Sequence, residues 1–194
     1  MNTPVMPLFE KTGAYLKGHF RLTSGLHSPE YLQCAKVLAY PAYAEMLGKD
    51  LAARIRDSMN GTVDVVLAPA LGGLIIGHEV ARALNVPFLF AERDSATGHM
   101  SLRRGFELHA GQTAIVIEDV VTTGGSSREV VALARHAGAE VAAAGSIIDR
   151  SNGRADLGVP FTALHKLDAV TYEAAACPLC QQGVPVVKPG SRKV

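Results

Sequence analysis

Apolar residues recur along the chain in two periods, and the switches between them divide it into strand and helix segments. Residues 114–117 are a continuous apolar run with β-branched members, the pattern of a strand buried on both faces. After a turn of small residues, Val130, Val131, Leu133 and Ala134 recur at helical spacing, so a helix is predicted from near Ser126. The same order appears earlier. Residues 63–68 read as a buried strand, Ala70-Leu71-Gly72-Gly73 as a tight turn, and residues 74–84 as a helix. The longest helical segment is 41–59, with Leu47, Leu51, Ala52 and Ile55 along one face. Residues 86–91, 140–148 and 161–167 read as further strands, the last at an edge. Strands alternating with helices predict an α/β domain, a mostly parallel sheet flanked by helices.

The first forty residues read differently. A modest amphipathic pattern over 4–16 predicts a short helix. Phe20 and Leu22 then alternate with Arg21 and Thr23 as in a half-buried strand. Ser24-Gly25 reads as a turn, and 31–34 as a second short strand. These make a small N-terminal helix and hood (1–40) ahead of an α/β core (41–170). A tail (171–194) carries Cys177-Pro178-Leu179-Cys180.

Glu118 and Asp119 put two adjacent carboxylates at the C-terminal end of the 114–117 strand, followed by Thr122, Thr123, Gly124, Gly125 and Ser126. Ligands of open parallel sheets bind beyond the carboxyl ends of the strands. A glycine loop entering a helix suits phosphate, because free amides and the helix dipole point at the anion. An ordinary strand–turn–helix corner would account for the loop alone. The acidic pair argues for a site, since it repels phosphate unless a cation or sugar hydroxyls intervene. Ala70, Leu71, Gly72 and Gly73 form a second such turn, whose glycines let a ligand approach the backbone. Residues 92–106 are polar and aperiodic, a mobile loop or hairpin bearing Arg93, His99, Arg103 and Arg104. Arg150 ends the 140–148 strand on the ligand side of the sheet, where local sequence favours an ion pair with Asp149. The tail cysteines have zinc-ligand spacing, but a tetrahedral site takes four ligands. Cys34 and His165 are the only helpers the sequence offers, and neither is close by. A thioredoxin-like motif would open a helix near a first strand, not sit in a tail.

The stretch from Glu118 to Ser126 closely resembles the ribose-phosphate loop of the phosphoribosyltransferases. Leu22-Thr23-Ser24-Gly25, Ser28-Pro29-Glu30-Tyr31 and Asp149-Arg150 resemble one branch of that family, the orotate phosphoribosyltransferases. The cysteine-bearing tail resembles a longer bacterial subgroup of the branch, and the resemblance runs from about residue 13 to 192. It implies transfer of the phosphoribosyl group of phosphoribosyl pyrophosphate to orotate, giving orotidine 5'-monophosphate and diphosphate in pyrimidine biosynthesis. It also implies Mg2+ bound through the substrate and not directly by the protein, with Asp119 as a candidate contact. Glu118 and Asp119 would hold the ribose hydroxyls, and the amides of Thr123 to Ser126 the 5-phosphate. Ala70 to Gly73 would hold the pyrophosphate, and Arg150 with Thr122 the orotate carboxylate. Arg93, His99, Arg103 and Arg104 would close over the substrate on a mobile loop, reaching across a homodimer. Two departures stand out. Many members have a lysine that helps hold orotate where this chain has Thr23, which leaves Lys17, Arg21 or His27 to compensate. The loop also lacks the family's lysines, and arginine is a poor proton donor, so His99 is its only acid. Two other readings remain: a phosphoribosyltransferase for a purine or another base, and a non-catalytic regulator of the same fold. The second lacks an added helix-turn-helix or basic stripe.

Composition narrows the setting. Hydrophobic residues make up 48% of the 194, enough for a substantial core and too many for a disordered chain. A net charge of +1 gives no reason to expect nucleic-acid binding. No apolar run reaches membrane-spanning length, and no basic region followed by an apolar core opens the chain. Three cysteines make no disulfide framework, so a reducing, cytoplasmic setting is expected.

Overall fold

Strands β3 (Val65–Pro69) and β6 (Thr113–Val121) lie side by side and parallel in the middle of a six-stranded sheet. The structure, a computed structural model, describes residues 3–22, 24–168 and 170–189. From β3 the chain passes through α4 (Gly73–Leu84) to β4 (Phe88–Arg93), which pairs parallel on one side of β3. β5 (Met100–Leu102) turns back antiparallel on β4. The chain then enters β6 on the other side of β3. It continues through α5 (Gly125–His136) to β7 (Glu140–Asp149) and the edge strand β8 (Phe161–Lys166). The order is therefore β5-β4-β3-β6-β7-β8, and the direction of winding reverses between β3 and β6. Such a reversal opens a crevice at the carboxyl ends of those two strands.

Alternation along the central strands builds two cores. Val66, Ile115 and Ile117 face one side, where Leu47, Leu51 and Ile55 of α3 (Pro41–Ser58) meet Ile76 and Val80 of α4. Val65, Leu67, Ala114 and Val116 face the other, under Val130, Val131 and Ala134 of α5. Full burial of each α3 leucine or isoleucine contributes about 1.5–3 kcal/mol.

The N-terminal part differs from the sequence expectation in its boundaries. α1 (Val5–Lys11) stops before Gly13, whose φ of +63° turns the chain into β1 (Tyr15–Arg21). β2 (His27–Leu32) starts at His27, earlier than expected. Cys34 opens a short helix, α2 (Cys34–Leu38), instead of closing a strand; Cys34, Val37 and Leu38 are buried at helical spacing. β1 and β2 form an antiparallel hairpin beside the main sheet. The tail returns to this hairpin. Tyr172 exchanges both backbone hydrogen bonds with His27, 2.8 Å each. Val187 binds His19 and Arg21 at 2.8 and 2.9 Å. Among the described residues, no helix is long and apolar enough to cross a membrane.

Candidate active site

A cleft of about 1190 Å³ opens at the predicted crevice. Its walls include Tyr31 from the hood, Leu71 and Gly72 after β3, Asp119 of β6, Thr122 and Thr123 beyond it, and Arg150 after β7.

The acidic pair sits inside β6, not after it. Pairing with β7 continues through Val120 and Val121, because these β-branched residues resume the strand that Ile117 was expected to end. Asp119 reaches the cleft wall, whereas Glu118 is buried and is not one of the wall residues. Asp119 Oδ1 accepts from the Val120 amide at 2.7 Å, and Glu118 Oε1 from the Asp119 amide at 3.1 Å. Burial pushes Glu118 well above the usual carboxylate range, and the charge of Asp119 adds to this. Burial raises Asp119 as well. Gly72 lies against this carboxylate. A Cβ there would come within 2.5 Å of Asp119 Oδ1, so the glycine is what lets the two turns approach. Gly73 faces inward, where a Cβ would strike Ala68 and the Ile117 carbonyl at 2.8 Å, and its role is packing. The Ala70-Leu71 peptide is cis.

The Thr-Gly loop leads into α5 with no side chain capping the helix. First-turn amides have no intrahelical acceptor, so here they remain available to an anion. Gly124 makes the turn at φ +77°, and a Cβ there would collide with Leu157. Gly124→Ala is expected to lower unfolding stability by about 1–3 kcal/mol and to weaken phosphate-ester binding. Denaturant unfolding with a phosphate-ester titration checks this, and unaltered stability would mean the loop tolerates a side chain. Arg128 braces the loop, donating to the Thr123 carbonyl at 2.8 Å and the Asp156 carbonyl at 2.9 Å.

Arg150 does not make the ion pair with Asp149 that local sequence favours. Asp149 Oδ1 accepts instead from the Ser151 amide at 2.8 Å. Arg150 Nε is buried without a hydrogen-bond partner among the described residues, and so is Ser151 Oγ. Burial holds the Arg150 guanidinium below its ordinary pKa, while Tyr31 and Glu30 partly offset this. Arg150 and Ser151 both belong to the cleft wall, and a guanidinium there that spends no Nε–H on the described residues suits an anionic ligand.

The loop cations lie elsewhere. Residues 92–106 form a hairpin, with β4 and β5 paired and Asp94 Oδ1 gathering the amides of Ala96 and Thr97 at 2.9 Å. Arg93 makes a bidentate pair with Glu129 of α5 at 3.0 Å, and Arg104 one with Glu92 at 2.8 and 2.9 Å. His99 and Arg103 are exposed. None of the four lines the cleft. Thr23 lies outside the described residues. None of the groups considered in its place, Lys17, Arg21 and His27, is a cleft wall, whereas Lys188 of the tail, which was not among them, is. Sequence reasoning missed Lys188 because it is far from the hood in the chain; no local pattern marks it. Ser151 was missed because a serine after Asp149-Arg150 carries no periodic or charge signal. Ala70, Gly73, Gly124, Gly125 and Ser126 lie in or beside the two glycine turns without being cleft walls.

The phosphoribosyl transferase domain model matches residues 38–170. An orotate phosphoribosyltransferase of Pelotomaculum thermopropionicum is 53% identical, over 98% of this chain and 97% of its own length. A solved orotate phosphoribosyltransferase from Aeropyrum pernix shares the fold at a TM-score of 0.70 and 24% identity, covering 84% of this chain and 93% of that one. A solved adenine phosphoribosyltransferase from Trypanosoma brucei shares it at 0.63 and 20% identity, covering 85% and 80%. The fold is thus common to enzymes of different bases, and the near-full-length identity selects the branch: the chain belongs to the phosphoribosyltransferase family, among the orotate phosphoribosyltransferases.

Proposed function

We infer that this protein transfers the phosphoribosyl group of phosphoribosyl pyrophosphate to orotate, forming orotidine 5'-monophosphate and diphosphate in pyrimidine nucleotide biosynthesis. The observation that carries the choice of base is half-buried Arg150 on the wall of the same cleft as a phosphate-type loop, its Nε without a partner among the described residues. A planar guanidinium fits the carboxylate that distinguishes orotate from purine bases. Ser151 Oγ and Thr122 supply hydroxyls beside it.

In this reading, orotate N1 bonds to the anomeric carbon as the bond to diphosphate breaks, its N1 proton passes to the departing diphosphate or to solvent, and positive charge develops on the ribose. The half-buried carboxylate of Asp119 faces that charge and the ribose hydroxyls, with buried Glu118 next to it. The uncapped amides of Thr123 to Ser126 hold the 5-phosphate, and the Ala70 to Gly73 turn receives the leaving diphosphate. These contacts fix the two reactants in line. A carboxylate that burial has made costly to ionise suits a hard cation, and Asp119 with ribose and diphosphate oxygens fits Mg2+. Mg2+, when bound, offsets charge on the diphosphate. We assign Arg93, His99, Arg103 and Arg104 to the cleft of a second copy in a homodimer, since none lines the cleft of its own chain. Three free cysteines suit a reducing cytoplasm.

The test is a spectrophotometric assay with phosphoribosyl pyrophosphate, Mg2+ and orotate, against adenine, guanine, hypoxanthine, xanthine and uracil. Orotate-dependent turnover is expected. Turnover with another base would move the protein to a sister activity. Phosphoribosyl pyrophosphate binding without turnover of any base would favour a regulator.

A further inference from the structure

Four side chains that the reaction does not use converge under the tail. His19 comes from β1, His27 from the start of β2, and Cys177 and Cys180 flank and enter the short helix α6 (Pro178–Gln181). Their ligand atoms all lie within 4.8 Å of one another. Cys177 Sγ is 3.5 Å from His19 Nε2, and Cys180 Sγ is 3.7 Å from the same nitrogen and 3.3 Å from His27 Nδ1. Tetrahedral zinc, with its usual bond lengths, spaces sulfur and nitrogen ligands about 3.5 Å apart. The two ring nitrogens are 2.8 Å apart, a hydrogen bond in the metal-free cluster and about half an ångström short of zinc spacing. We propose that His19, His27, Cys177 and Cys180 bind one zinc ion that clasps the tail onto the hood.

The surroundings favour a metal. His19 Nδ1–H donates to the Val184 carbonyl at 2.7 Å. A carbonyl can only accept, so the proton sits on Nδ1 and a neutral ring turns the lone pair of Nε2 toward the cluster. Hydrogen-bonded outer nitrogens of this kind orient histidine ligands at metal sites. The register of β1 slips between Lys17 and Phe20, which allows consecutive His19 and Phe20 both to be buried. His19, His27 and Cys177 are buried, while Cys180 is exposed and gives the ion a way in. Binding converts two thiols to thiolates and releases two protons. The resulting Zn2+ site, with two thiolates and two neutral imidazoles, has no net charge, which suits burial.

The consequence is mechanical. The tail meets the hood at Tyr172 and again at Val187, and the cluster lies between these two seams. The same tail brings Lys188 to the cleft wall, so a metal here would hold that cation in place. The site stands apart from the transferase reading, because none of its four residues is a cleft wall.

The test uses the full chain, purified with its thiols reduced, and Zn2+ or Co2+ alone as the probe. One zinc per chain is expected by elemental analysis. Co2+ added to stripped protein should give the intense visible bands of a tetrahedral thiolate site, saturating at one equivalent and abolished by Zn2+. The double variant Cys177→Ser/Cys180→Ser should bind neither metal; if it does not fold, the Co2+ spectrum of the wild type decides alone. Removing the metal should speed hydrogen exchange at the Arg21 and Val187 amides, which span the tail–hood seam. Three results would overturn the proposal: no stoichiometric metal with reduced thiols, octahedral Co2+ spectra, or a Cys177–Cys180 disulfide in fresh protein. Exchange unchanged after metal loss would overturn the clasp.

Discussion

Replacing Asp119 by Asn should lower kcat by about 10²–10³-fold while leaving the protein folded. Asn keeps the volume and the acceptor for the Val120 amide, so the local backbone has no reason to move. It removes the charge that, in the proposed reaction, faces the ribose when the bond to diphosphate breaks. The same change should ease a strain in the unliganded protein. Burial raises the pKa of both Asp119 and Glu118. Below the ordinary carboxylate range, folded and unfolded chains both hold these protons and the pair costs nothing. Above it the unfolded chain releases protons that the folded pair retains, so stability falls as pH rises toward the folded pKa values. The wild type should therefore lose stability between acid and neutral pH through this pair, and Asp119→Asn should flatten that slope. Activity and thermal melting across the pH range measure both. A variant that loses folding and turnover in equal measure would show that Asp119 supports the strand instead of the reaction.

Arg150→Ala should cut kcat/KM for orotate by about 10²-fold or more and leave the KM for phosphoribosyl pyrophosphate nearly unchanged. Truncating one partner of a buried, hydrogen-bonded charge pair costs about 2–5 kcal/mol, mostly in the complex, where the orotate carboxylate would be left unpaired. In the free protein Arg150 Nε already lacks a partner and Asp149 is satisfied by the Ser151 amide, so folding should suffer little. Arg150→Lys keeps the charge but loses the planar fork, and should recover only part of the loss. Steady-state kinetics with each substrate varied in turn separates these outcomes. Unchanged orotate kinetics in a folded Arg150→Ala protein would remove the basis for choosing this base and favour another one.

How far the chain could be read without coordinates follows from the range of the forces involved. The two strand–glycine–helix units, the long α3 and the Thr-Gly loop are local patterns, set by side-chain periodicity and by the few residues that can make a tight turn. They were legible because each lies within about twenty residues. The end of β6 was not, because continuation through Glu118 and Asp119 depends on pairing with β7. The acidic pair was visible as chemistry, but its raised pKa values come from burial by elements distant in the chain. Arg150 was visible at a strand end, yet its freedom from Asp149 depends on where the Ser151 amide points. The loop cations were legible as charges, but their engagement with Glu129 and Glu92 away from the cleft is a tertiary fact. The tail shows the limit most clearly. Cys177 and Cys180 showed only the spacing of two zinc ligands, and Cys34 and His165 were the helpers the sequence offered. The structure pairs them instead with His19 and His27, about 150 residues away, and puts Lys188 beside the cleft. Sequence by itself determined the family, the mostly parallel sheet and the Thr-Gly turn, since these rest on short-range pattern. Only the tertiary structure decided which distant side chains meet, because chain closure over such separations leaves no local trace.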